Sequence, residues 1–267
     1  MMEAGKSGHV GGAMSAVDII TALYATQPRL GKDWVDNPDR DRFLLSAGHK
    51  AMAQYAVLAV AGIVPEATLD TYGQLASSVP GHPDMAKLRG IEANTGALGH
   101  GLPIACGIAL GTKLRGSSSR VFVVLGDGEL PEGSNWEGAA IAAHHKLDNL
   151  VAFVDVNGLQ ISGPTREVMN MTSVADKFGA FGWATEQIDG NDVSQVLDVL
   201  DRLPLTQGRP TAIVAKTTKG KGVHALEGLV SSHYWKPTEI DLAAAVADAD
   251  KAVTDAEGAL ELEGVLL

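Results

Sequence analysis

In the stretch from Arg120 to Gly163, an apolar run ends at Gly126-Asp127-Gly128, an alanine-rich helical pattern follows, and a second apolar run ends at Asp155-Val156-Asn157. A carboxylate and an amide oxygen thereby stand just past the ends of two strands joined by a helix. In an open parallel sheet, ligands bind in the crevice beyond the carboxyl ends of the strands. Both side chains are hard oxygen donors, and the glycines flanking Asp127 let the backbone approach a bulky group closely. Such donors suit Mg²⁺, which takes one or two protein oxygens and completes its shell from phosphate and water. The spacing predicts a metal–diphosphate site.

Histidines supply the second kind of chemistry. His9 lies in SGHVGG, His49 in SAGHK, His82 in PGHPD, His100 in LGHGLP and His233 in SSHYW, and the first four each follow a glycine. A single loop histidine is ordinarily a surface or helix-end residue, but five at the ends of elements suggest proton handling near neutral pH. Glu132 and Glu137 follow Asp127 at the start of the intervening helix, where acids complement the helix dipole. His144 and His145 fall late in the same helix, where cations suit the dipole. Lys219-Gly-Lys221-Gly follows a β-branched run, PTAIVAK, as a turn able to cradle phosphate.

These residues need a scaffold, and the periodicity supplies one. Residues Ser15 to Gln27 place Val17, Ile20, Leu23 and Tyr24 on one helical face. A Pro/Gly/Asp-rich connection leads to a strand-like FLLS and to a helix in GHKAMAQYAVLAVAG. Pro65 to Leu75 reads as helix with Pro at its start. Ser77 to Gly101 is a long segment without periodicity, and such loops tend to be functional. Helices are expected over Pro103–Leu114, Ser173–Phe181 and Val193–Leu203, and strands over Trp183–Ile188 and Pro210–Lys216. Alternating strands and helices predict an α/β fold, a doubly wound, mostly parallel sheet with helices on both faces. Neither an internal repeat nor a linker interrupts it. We divide the chain into residues 1–237 and an alanine- and acid-rich helical tail, 238–267.

The composition narrows the partners. A net charge of −11 and a pI near 5.1 argue against nucleic acid, whose phosphates need clustered Lys and Arg, and against an anionic membrane surface. No apolar stretch has the length of a membrane span. Cys106 is the only cysteine and sits in an apolar helical pattern, as expected of a buried, inert thiol in a reducing, cytoplasmic compartment.

The GDG of Gly126-Asp127-Gly128, an intervening helix and Asn157 resemble the metal-binding motif of thiamine diphosphate enzymes. SGHVGGAMS, LSAGHKAMAQY, PGHPDM and TGALGHGLP resemble successive motifs of the N-terminal portion of transketolase. The resemblance implies the thiamine diphosphate-binding fold, thiamine diphosphate and Mg²⁺ as cofactors, and transfer of a two-carbon ketol unit from a ketose phosphate to an aldose phosphate. It implies Asp127, Asn157 and the carbonyl of Leu159 as metal ligands. Cofactor contacts carry over to His49, Gly99, His100, Gly101, Gly126 and Gly128, and likewise to Glu129, Ile161 and His233. Catalytic roles carry over to His9, His49, His82, His233 and Glu132, the last as part of a proton relay across a dimer interface. His100 stands where the family commonly has glutamine, and SSHYWKP departs from its Trp-His-Gly pattern.

The resemblance covers about half of a full transketolase. It implies a second subunit carrying the pyrimidine-binding and C-terminal domains, joined in a heterotetramer. MMEAGKSGHV lacks the helix that precedes the first motif in the family, as expected of a truncated or late start. Two alternatives stay open on these motifs. One is a split subunit of another thiamine diphosphate enzyme, an E1 dehydrogenase component or a deoxyxylulose-phosphate synthase. The other is a non-catalytic regulatory subunit of the same fold.

Overall fold

The computed structural model describes residues 1–262. Strands β1 (Arg42–Leu45), β2 (Val121–Gly126) and β3 (Leu150–Val156) are joined by β6 (Ala184–Asp189) and β7 (Thr211–Lys216) in one sheet of order β1-β2-β3-β7-β6. Every pairing in it is parallel. Two short strands, β4 (Leu159–Gln160) and β5 (Gly163–Pro164), form a separate antiparallel hairpin.

Both faces of the sheet are covered, which is why its strands read as unbroken apolar runs. Phe122 and Val124 of β2 point into one core with Phe153 and Ile213, beneath helices α2 (Val10–Thr26), α3 (Ala51–Val60) and α8 (Val193–Asp201). Val121, Val123 and Leu125 point into the other, beneath α4 (Gly101–Leu114), α5 (Gly133–His144) and α7 (Val174–Ala180). This is the expected doubly wound α/β arrangement. Cys106 lies in the second core, 3% exposed, and burial pushes its thiol up to about 12.

The register sets the site. Gly126 pairs with Asp155 across β2 and β3, so Asp127 and Asn157 emerge side by side at the carboxyl end of the sheet. Several boundaries differ from expectation. Helix α2 begins at Val10 rather than Ser15, because Gly11 and Gly12 are helical despite their propensity. They are there for close contact: a Cβ on Gly11 would lie 2.2 Å from Ser232 Oγ, and one on Gly12 would lie 3.2 Å from the Lys50 side chain. The helix expected over Pro65–Leu75 is only the 3₁₀ segment Glu66–Thr71, ended before Gly73 at φ +70°. Hairpin β4–β5 and the single turns α1 (Met2–Gly5) and α6 (Thr165–Val168) are too short to leave a periodic signal.

Helix α9 (Glu239–Leu262) follows where the acidic tail was expected. Ala245 packs on the first core, and the backbone N–H of His224 donates to Asp248 Oδ2 at 2.9 Å. Residues 263–267 of the tail lie outside the described residues. No helix among the described residues is long and apolar enough to cross a membrane.

Candidate functional site

The strand ends deliver a laced set of oxygens. Asp127 is 6% exposed, and both hydrogen bonds to its carboxylate fall on Oδ2, from Gly158 N at 2.8 Å and Thr165 Oγ1 at 3.3 Å. Asn157 Oδ1 accepts from Leu159 N at 3.1 Å, which turns the chain so that the Leu159 carbonyl faces Lys219 Nζ at 3.0 Å. Beneath them Asp155 is fully buried, and its Oδ2 accepts from Ser15 Oγ and Lys50 Nζ, each at 2.5 Å. Thr217 Oγ1 donates to its other oxygen. Asp155 thus ties α2, β3, the start of α3 and the segment after β7 to one point.

Two buried cations flank the oxygens. Lys50 and Lys219 are each 2% exposed. Burial, then the charge of Lys50, lowers the Lys219 ammonium to about 8. Asp127 is raised above the ordinary carboxylate range, first by burial and then by the charge of Asp155. Like cations crowded in a dry pocket favour an anion between them, and a buried carboxylate with one oxygen clear of hydrogen bonds favours a metal ion. Glycines make room for both: a Cβ on Gly126 would lie 3.3 Å from Lys50 Nζ, and one on Gly128 would lie 3.1 Å from the Gln160 side chain. The donor set of Asp127, Asn157 and the Leu159 carbonyl, with the two lysines, therefore fits Mg²⁺ carrying a diphosphate.

The histidines converge on the same cavity. Its volume is ≈230 Å³, and His9, His49 and His233 line it together with Asp127, Asn157 and Lys219. His9 is the hub, with ring centroids 5.4 Å from His49, 5.9 Å from His82 and 5.4 Å from His233. His49 and His233 stack at 5.3 Å. Lys219 Nζ is 3.0 Å from His233 Nδ1, so that nitrogen is an acceptor wherever Lys219 is protonated. Burial lowers His49 to about 2, with the charge of Lys50 acting the same way. Burial, then Lys219, lowers His233 to about 4. His9 and His82 are lowered as well, both chiefly by burial. All four rings are neutral near pH 7, and a neutral imidazole offers one donor and one acceptor. Among the described residues no group of three or more His, Cys, Asp or Glu is arranged to hold a metal ion.

The remaining sequence-derived residues divide. Gly126, Gly128, Glu129 and Ile161 border the cavity. The Glu129 carboxyl turns inward, 2% exposed, with Oε1 accepting from Ser46 Oγ at 2.5 Å and Oε2 buried without a partner. Burial raises it to about 7. Gly101 packs on Ser46, where a Cβ would come within 2.4 Å, and Gly99 on Glu132, where it would come within 2.5 Å. Neither glycine borders the cavity. His100 is exposed, its Nδ1 3.1 Å from the Leu98 carbonyl. Glu132 is the exposed N-cap of α5, and Glu137 lies one turn further on. His144 ends α5 and His145 caps it, and neither borders the cavity.

Sequence reasoning missed Lys50 and Asp155 and underweighted Lys219. The signal was present: an aspartate inside the buried run VAFVDV, and a lysine opening an otherwise apolar helix, rarely survive unpaired. Lys221, two residues from Lys219, is half exposed and sits 3.8 Å from Glu227.

Residues 1–245 match the family described as transketolase, thiamine diphosphate binding domain. An apulose-4-phosphate transketolase subunit from Actinobacillus succinogenes is 43% identical over 238 residues, covering 88% of this chain and 86% of that protein. A 6-deoxy-6-sulfo-D-fructose transketolase subunit from Clostridium sp. is 39% identical over 244 residues, covering 91% and 89% respectively. Among solved structures, Leishmania mexicana transketolase superposes with a TM-score of 0.86 at 30% identity, covering 93% of this chain but only 39% of its own.

Proposed function

This chain belongs to the family of transketolase thiamine diphosphate-binding domains, and on that premise we propose that it is the cofactor-binding subunit of a split, Mg²⁺-dependent transketolase. One observation carries the reading: the oxygen donors Asp127, Asn157 and Leu159, the cations Lys50 and Lys219, and the neutral histidines His9, His49 and His233 all line one cavity.

In this reading Asp127, Asn157 and the Leu159 carbonyl would hold Mg²⁺, and Lys50 and Lys219 would hold the diphosphate. When bound, thiamine diphosphate supplies the carbanion chemistry that detaches a two-carbon ketol unit from a ketose and delivers it to an aldose. The histidines manage the protons. Being neutral, each can donate to an oxygen that gains charge and accept from one that loses a proton, without first shedding a proton of its own. Glu132, exposed at the N-cap of α5, takes in this reading a part in a proton relay across an interface with a second copy. Residues 1–237 form the cofactor-binding domain and 238–267 a tail.

The partner in this proposal supplies the pyrimidine-binding and C-terminal domains, and the assembly is a heterotetramer. The sole cysteine, buried and unpaired, is consistent with a reducing cytoplasm. Relatives of similar length are named for apulose 4-phosphate and for 6-deoxy-6-sulfo-D-fructose, so we take the donor to be a ketose with an anionic terminal group.

The test is reconstitution. The purified chain alone should transfer no two-carbon unit from a ketose phosphate to an aldose phosphate, and should do so once the partner is added. Full activity of the chain alone would overturn the split assignment. Oxidative decarboxylation or condensation with pyruvate, in place of ketol transfer, would favour a dehydrogenase component or a deoxyxylulose-phosphate synthase. An assembly without Mg²⁺-dependent thiamine diphosphate binding would point to a regulatory role.

A further inference from the structure

The histidine cluster has a fifth aromatic neighbour. Tyr234 follows His233 directly, and its ring stands edge-on to His9 with centroids 4.9 Å apart. Its hydroxyl lies 2.8 Å from Ser7 Oγ. The backbone clamps this arrangement: Gly8 N donates to the Trp235 carbonyl at 3.0 Å, and Trp235 N donates to the Gly8 carbonyl at 2.8 Å. Tyr234 is therefore held at its backbone, its ring and its hydroxyl, yet it remains 47% exposed, whereas Asp127 and Lys219 are 6% and 2% exposed.

Orientation follows from that gradient. Exposure rises from the buried charged residues, past the imidazoles, to a fixed aromatic ring that packs on His9. Two hydroxyls that share one hydrogen bond keep one O–H proton between them free to donate. A rigid ring with a free O–H beside it suits a polyhydroxylated chain, which presents C–H faces to the ring and oxygens to the hydroxyls.

We propose that Tyr234, held by Ser7, is a specificity-determining residue that contacts the outer part of the ketose and favours shorter donors. The inference rests on the transketolase reading, in which the sugar's reacting end lies among His9, His49 and His233. The ring then narrows the passage for the carbons beyond that end, and the free O–H meets one of their hydroxyls.

The reconstituted assembly tests this with D-xylulose 5-phosphate and D-sedoheptulose 7-phosphate as donors. Tyr234→Gly should raise the ratio of kcat/KM for the seven-carbon donor over the five-carbon donor by roughly 10-fold, the scale set by a few methylenes in a pocket. Tyr234→Phe, which keeps the ring, should leave that ratio within about 2-fold while raising KM for both donors roughly 3- to 10-fold at nearly constant kcat, as for one lost hydrogen bond. An unchanged ratio in Tyr234→Gly, or an equal fall in kcat for both donors, would overturn the assignment. Should Tyr234→Gly lose folded assembly, judged by thermal midpoint and bound cofactor, an unchanged KM in Tyr234→Phe would overturn it instead. If the wild-type assembly transfers from neither donor, nor from apulose 4-phosphate or 6-deoxy-6-sulfo-D-fructose, the transketolase reading fails. Calorimetric titration of the same two sugar phosphates then decides Tyr234 separately: equal relative affinities in wild type and Tyr234→Gly would reject it.

Discussion

The oxygen donors of the cavity come from neighbouring strand ends, whereas the histidine cluster, of which His82 touches His9 outside the cavity lining, draws on four separate stretches of chain, at positions 9, 49, 82 and 233. The first group is fixed by sheet register, Gly126 against Asp155, and by hydrogen bonds that lace Asp127, Asn157 and Leu159 together. The second depends on loops that meet only because α2, α3 and the segment around His233 fold onto one another. The electrostatics differ in the same way. The floor concentrates charge, with Lys50, Lys219, Asp127 and Asp155 all buried, while every ring in the cluster is pushed toward neutrality. On the proposed reading, one region holds a charged group in place and the other exchanges protons with something that passes.

That division is sharpest where a substitution should affect only one side of it. Asp127→Ala removes the single carboxylate aimed at the metal, and Mg²⁺-dependent binding of thiamine diphosphate to the reconstituted assembly should disappear in calorimetry. The thermal midpoint without cofactor should stay or rise, because the raised carboxyl is itself a cost in the empty site. Retained cofactor binding would break the assignment of the floor.

On the other side, His49→Ala and His82→Ala should lower turnover by roughly 10²–10³, the usual loss for one donor to a developing oxyanion. Cofactor affinity should change far less. Normal turnover in both variants would remove the cluster from the chemistry, and parallel losses of turnover and cofactor would erase the distinction between the two regions.

The contrast also explains what the sequence made legible. Asp127 and Asn157 could be read because strand, turn and helix between them are contiguous, so their juxtaposition follows from local pattern alone. The parallel sheet was readable for the same reason. The histidines were readable as candidates, but their convergence on His9 is a tertiary fact with no local signature. That Lys50 needs a partner could be read from its apolar helix, but which partner could not, because Asp155 lies 105 positions away. Hairpin β4–β5, which carries Leu159, has two residues per strand and therefore no period to detect.

Titration offers a subtler probe, because Glu129 and His233 respond to pH with opposite sign. His233 is lowered in the fold from 6.5 to about 4, so its contribution to stability is present above 6.5 and is lost as pH falls through about 4. Glu129 is raised from 4.5 to about 7, so its contribution is present below 4.5 and is lost as pH rises through about 7. In metal-free protein, Glu129→Gln should therefore stabilise at pH 8, by on the order of 1–3 kcal/mol, and change little at pH 5. His233→Gln should instead flatten the acid limb. Denaturant midpoints measured at both pH values check the pair, and a Glu129→Gln effect independent of pH would show that the carboxyl is ionised in the fold.

The smallest effect separates two lysines that the sequence presents as equivalent. In Lys219-Gly-Lys221-Gly, both glycines adopt positive φ, +77° at Gly220 and +87° at Gly222, so the chain reverses between the side chains. A Cβ on Gly220 would meet the Leu226 carbonyl oxygen at 2.6 Å, so only glycine permits that reversal here. It sends Lys219 into the cavity against Leu159 and His233, and leaves Lys221 half exposed beside Glu227. A solvated pair at 3.8 Å contributes little, and Lys221→Ala should change stability by no more than about 0.5 kcal/mol. It should also leave diphosphate binding unaltered, whereas Lys219→Ala should weaken it measurably in the same titration. Equal losses in the two variants would mean that the turn acts as a diffuse basic patch, and that the buried floor has no special claim on the anion.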